Sequence, residues 1–159
     1  MKRFLMTTAA ALTLAGTAAL AATPVGEIDV QTDLTAVENE KAASVWSGLD
    51  ADLETALAER LAPQIEERGA KIEIDIDEVE LANSFEQSIG TADSVLSGEV
   101  KIKVPGLANN ERYTLTVTTD QAQQYFPDGT VMADLTLGSD IYYQAIIAAF
   151  ADNVVKKLQ

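Results

Sequence analysis

Ile28, Val30, Thr32 and Leu34 alternate with Glu27, Asp29, Gln31 and Asp33, and a period of two predicts a half-buried strand. From Ala43 the period changes. Val45, Leu49, Leu53, Leu57, Leu61 and Ile65 recur every four residues, with Trp46 and Ala56 beside them and Asp50, Asp52, Glu54 and Glu59 turned away. This spacing predicts one long amphipathic helix over 43–68, stopped by Arg68-Gly69 and kinked or weakened in its last turn by Pro63. Thr35-Ala36-Val37-Glu38 matches a capping box, which would start the helix earlier.

Alternation returns with Ile72, Ile74 and Ile76 against Lys71, Glu73, Asp75 and Asp77, then changes parity to Val79 and Leu81. A parity change without a turn signal implies one extra residue near Asp77-Glu78, a β-bulge. A third strand shows Leu96, Gly98, Val100, Ile102 and Val104 on one face. Pro105-Gly106 begins a turn, and Tyr113, Leu115 and Val117 form the apolar face of a fourth. Val131, Ala133, Leu135 and Leu137 admit a short fifth strand. Ser139 or Asp140 can cap a final helix over 141–158, striped by Tyr143, Ile146, Ile147, Phe150 and Val154, with Lys156 and Lys157 suiting its carboxyl end. Strands apolar on one face and polar on the other belong to an antiparallel-rich sheet with one wet face, and two helical stripes can cover the dry one. The expected fold is α+β: a two-layer sandwich of four or five strands with two helices on one face.

The first residues carry an address instead of a fold. Met1-Lys2-Arg3 is basic, an apolar run follows from Phe4 to Leu20, and Ala19-Leu20-Ala21 is the small-x-small pattern that signal peptidase accepts. Residues 1–21 therefore read as a signal peptide and 22–159 as a single domain. With no cysteine to take a lipid and no stable anchor after cleavage, a soluble periplasmic protein is expected. Lys2 and Arg3 are the leader's sole charges, so the whole chain's 11 basic and 25 acidic residues become nine and 25 after cleavage, a net charge of −16. That charge repels phosphate backbones, which argues against nucleic-acid binding. The chain has no histidine and no cysteine, which removes disulfides, thiolate zinc sites and the commonest general base.

Carboxylates are the abundant chemistry. Glu73, Asp75 and Asp77 share one strand face at roughly 7 Å intervals, a spacing that could in principle serve hydrolytic cleavage of a glycoside. Acids alternating with isoleucines also describe a solvated face, on which Lys101 and Lys103 of the next strand would pair with them; this reading is favoured. Asp50-x-Asp52 and Asp75-x-Asp77 lack the glycine and distal glutamate of a calcium loop. No Gly-x-Ser-x-Gly elbow, Ser-x-x-Lys pair or phosphate loop occurs, so no catalytic residue, metal or cofactor is assigned. Phe85, Tyr125 and Phe126 lie in irregular segments where periodicity does not require an aromatic, and are candidate partner contacts together with Asp77 and Glu78 at the expected bulge.

The order of elements resembles that of small Gram-negative envelope domains, namely transport-auxiliary and outer-membrane-assembly lipoproteins and the amino-terminal domain of the Tol-Pal translocation protein. Ile28 to Leu34, Leu49 to Ile65, Gly69 to Ile74 and Tyr143 to Phe150 carry the resemblance, although the lipoproteins' amino-terminal cysteine is missing. It implies a non-enzymatic envelope role, with another envelope protein as partner. Two alternatives stand beside it: a carrier holding a small apolar ligand in a slot between helices and sheet, and a hydrolase using the strand-face carboxylates.

Overall fold

A computed structural model describes residues 22–32, 44, 46–80, 95–106, 110–131, 135 and 139–159. Along them run β1 (Val25–Thr32), α1 (Leu49–Leu61), β2 (Ala70–Glu80), β3 (Val95–Lys103), β4 (Glu111–Thr118), the short α2 (Thr119–Ala122) and α3 (Asp140–Lys156). The four strands stand side by side in chain order, so that among the described residues β1 and β4 are the two edges of the sheet. The fold is α+β, as the alternation predicts. The sheet is mixed, however: β1 pairs parallel with β2, and the remaining pairs are antiparallel. Parallel strands need a long crossover, and the segment containing α1 supplies it.

Register explains how the two faces separate. Val30, Ile74, Val100 and Tyr113 form one row across the sheet, and Ile28, Ile72 and Ile102 form the next. These side chains meet Leu49, Leu53, Leu57 and Leu61 of α1 and Tyr142, Tyr143, Ile146, Phe150 and Val154 of α3 in one core. The other face carries Glu27, Asp29, Lys71, Glu73, Lys101, Lys103 and Arg112. At Asp77 the register jumps from Ile76 opposite Gly98 to Glu78 opposite Ser97, which is the bulge expected from the parity change. Gly98 makes room for it, because a Cβ there would lie 2.7 Å from the Asp75 carbonyl oxygen and 2.8 Å from Ile76 Cδ1.

The first helix is shorter than its periodicity predicts. It ends at Leu61, and Ala62–Gln64 form one 3-10 turn with Pro63 near its start. Ile65 is then extended and bridges to Val25, while Glu66 N–H donates to the Val25 carbonyl at 2.8 Å. The proline, lacking a donor, stops the helix before Gly69. Gly69 instead serves the sheet. A Cβ there would sit 2.4 Å from Val25 C, so its bareness lets the β2 entry lie against β1.

Elsewhere the structure adds and removes detail. Thr118 and Gln121 form a reciprocal capping box that opens α2, while the Thr35–Glu38 match lies outside the described residues. Ser139 precedes α3 but caps it with its carbonyl, which accepts Tyr143 N–H at 3.0 Å, and not with its hydroxyl. Val131 and Leu135 belong to no strand, and the rest of the proposed fifth strand lies outside the described residues. Residues 1–21 lie outside them as well. Among the described residues, no helix is long and apolar enough to cross a membrane. Thr23 N–H donates to the Leu158 carbonyl at 2.9 Å, so the start of the described chain is fastened beside its end.

Candidate functional site

The acidic sheet face is organised by cations. Lys71 Nζ lies 2.7 Å from Glu27, 3.3 Å from Asp29 and 3.4 Å from Glu73. Lys103 pairs diagonally with Glu73. Lys101, although opposite Glu73 in register, turns along its own strand to Glu99 at 2.6 Å, and Arg112 reaches the second Glu99 oxygen at 3.3 Å. Glu27, with Asp29 and Glu73 behind it, raises the pKa of Lys71 against the cost of its desolvation. The Lys103 ammonium, followed by Lys71, holds the Glu73 carboxyl below its ordinary value, and Lys101 does the same for Glu99. A general acid needs the opposite shift to keep its proton near neutral pH. The carboxylates that converge do so on an ammonium, and among the described residues no group of three acids is arranged to hold a metal ion.

Tyr125 and Phe126 close over the helical layer. Tyr125 follows α2 in a 3-10 turn at Gln123–Tyr125, and its hydroxyl donates to Asp152 Oδ2 at 2.6 Å. Arg60 of α1 binds the other Asp152 oxygen through Nε and the Ala56 carbonyl through Nη1. One carboxylate on α3 thereby joins three segments. Partial burial opposes its charge, but the Tyr125 hydroxyl and the Arg60 guanidinium outweigh that cost and lower its pKa. Burial, then the Asp152 contact, pushes the Tyr125 hydroxyl up to about 12. Phe126 stacks on Tyr142 with ring centres 6.4 Å apart. Asp52 of α1 is likewise engaged, accepting the Tyr143 hydroxyl at 2.7 Å, while Trp46 meets the Tyr143 ring edge-on. Phe85 lies outside the described residues. Asp77 is the unpaired residue of the bulge between β2 and β3 and Glu78 the first paired beyond it, while the last described partner of β2 in β1 is Thr32, opposite Ile76.

A groove of about 370 Å³ lies beside β1. Gly26, Glu27 and Ile28 form one wall and Glu54, Thr55 and Ala58 of α1 the other, with Ile65 at one end. Ile65 is 51% exposed, because the helix stop at Pro63 turns it out of the leucine stripe. Glu54 reaches from α1 to the edge strand, where its Oε1 accepts Val30 N–H at 3.0 Å. That amide faces a side chain and no neighbouring strand. Periodicity places Glu54 on the outer side of the helix and Ile65 on the inner, so neither stands out in the sequence. Pro63 is the available signal for Ile65; Glu54 has none, since its partner lies 24 residues earlier. No family model, no curated protein and no solved structure matches the chain.

Proposed function

We propose that this protein is an exported, non-enzymatic binding module of the periplasm that acts through contacts with another envelope protein, and that its contact surface is the groove between α1 and the outer edge of β1. The observation carrying this reading is the conjunction of an open sheet edge, a concavity beside it and an exposed isoleucine within it. A single exposed isoleucine is ordinary by itself; its place in a concavity beside a strand edge, the element that strand-adding partners use, is what gives it weight. The wet face supports it indirectly, since Lys103 and Lys71 hold the Glu73 carboxyl, and Lys101 the Glu99 carboxyl, below the ordinary range, the reverse of what a general acid needs.

The carrier alternative draws less support. The positions between helices and sheet are filled: Leu49, Leu53, Leu57, Ile72, Ile76, Val100 and Phe150 all have no exposure. The concavity is outside that core.

Affinity capture from envelope extract tests the proposal with three forms of the protein. The wild type and a wet-face variant, Glu99→Gln with Lys101→Gln, should recover the same protein. A groove variant, Ala58→Arg with Ile65→Asp, should lose it. Both altered groove positions are exposed, so the fold should persist. Recovery unaffected by the groove variant, or no recovery by any form, would count against the reading.

A further inference from the structure

We infer that the groove accepts an extended segment of the partner as an added strand on β1, and that this segment is apolar on one face and carries lysine or arginine on the other. The inference rests on the binding-module reading and specifies its ligand.

The backbone supplies the first part. Residues 27–32 of β1 keep a regular register with β2, so successive peptide groups point alternately toward β2 and away from it. Val30 N–H points away, since Glu54 receives it. Ile28, two residues earlier, presents its N–H and C=O on that same outer side. Ile65 and Glu66 already occupy the edge at Val25, so among the described residues the stretch of the edge with no strand beside it runs from Ile28 toward Thr32. Edge strands in native proteins are usually covered, charged or kept short. Among the described residues the Glu54 carboxylate covers the Val30 amide, and an incoming carbonyl would take its place on Val30 N–H, as in other cases of strand addition.

Charge selects the occupant. Alternate side chains of an added strand would lie beside Ile28 in the groove, and the others beside Glu27 and Asp29. Among the described residues, Lys71 is the one cation paired with either of those acids, and it also serves Glu73. The edge is therefore left with excess negative charge, and Glu54 adds another at the groove wall. A cationic outer face on the ligand meets that excess. A second copy of this chain does not, because β1 against β1 would set Glu27 and Asp29 opposite their own kind, an unfavourable cross-strand pairing.

The test uses the ¹⁵N-labelled protein and three hexapeptide probes. Lys-Val-Lys-Val-Lys-Val should slow amide exchange at Ile28 by about tenfold when present at ten times its dissociation constant. Glu-Val-Glu-Val-Glu-Val should not, nor should the lysine peptide with N-methylated backbone amides. Absence of protection by the lysine peptide overturns the inference. So does equal protection by the acidic or the N-methylated peptide, and so does protection of Ile28 by the protein's own association at high concentration. If groove-dependent capture of a partner persists while Ile28 stays unprotected, strand addition fails and the binding-module reading stands. If that capture also fails, both fall.

Discussion

Glu54 on α1 accepts the backbone N–H of Val30 on β1 at 3.0 Å. A helix side chain thus stands where the next strand of the sheet would be. Val30 itself is buried, so its amide would otherwise lose its partner away from bulk water, and an unsatisfied donor of that kind costs roughly 1–3 kcal/mol. Replacing Glu54 by Ala should lower unfolding free energy by about 1 kcal/mol, and Gln should recover most of the loss, because its carbonyl can still accept. Denaturant melts with amide exchange at Val30 check this: the alanine variant should exchange faster there with little change at Ile74.

Asp152 joins α1, α3 and the turn after α2 through Arg60 and Tyr125. Asp152→Ala leaves two partly buried donors without their acceptor and should cost roughly 1–3 kcal/mol. Arg60→Ala and Tyr125→Phe should each cost less, and their double variant should fall short of the sum, since both act through one carboxylate. Thermal or urea unfolding of the four variants measures the coupling.

Two glycines lie where backbone leaves no room. A Cβ at Gly69 would come within 2.4 Å of Val25 C, and one at Gly98 within 2.7 Å of the Asp75 oxygen. Gly69→Ala and Gly98→Ala should each destabilise by about 1–3 kcal/mol. Ala at Gly129, where no atom lies within 4 Å of the added carbon but φ is +84°, should cost nearer 1 kcal/mol, from backbone strain alone. Urea midpoints of the three variants provide the comparison.

Stability should fall at both extremes of pH. Glu73, Glu99 and Asp152 have folded pKa values below their ordinary ones. On acidification the unfolded chain takes up their protons first, so their contribution is present above about pH 4 and is lost as pH drops below it. Tyr113 and Tyr125 are raised to about 12, by burial first and then by Glu111 and Asp152 respectively. Lys71 shifts in the same direction. Their protons leave the unfolded chain first as pH rises, so stability holds below about pH 10 and declines above it. Midpoints of thermal unfolding between pH 2 and 12 should trace a plateau with a fall on each side, and Asp152→Asn should flatten part of the acid limb.

Much of the fold was legible because it is local. The parity change after Asp77 announced the bulge, the four-residue leucine spacing announced α1, and the aromatic and aliphatic stripe from Tyr143 to Val154 announced α3. What escaped depends on neighbours far apart in the chain. Alternation in β1 looks the same whether its partner is parallel or antiparallel; the helix between the first two strands was the better signal for a parallel pair. Ile65 continued the leucine spacing and so read as core, yet Pro63 broke the helix one turn too soon. Tyr125 and Phe126 stood out as aromatics without a periodic reason, but Asp152 and Tyr142, 27 and 16 residues further on, occupy their outward atoms. Glu54 looked like one more solvent-facing acid. Nothing in helical spacing shows that such an acid will meet the amide of an edge strand.

Site-specific photo-crosslinking in intact cells tests the central claim most directly. A benzophenone side chain placed at Ala58 or Ile65, in the groove, should trap one discrete second protein. The same group at Thr114, on the exposed polar face of β4, should trap none of it. Equal trapping from both surfaces, or discrete adducts from Thr114 alone, would contradict the account.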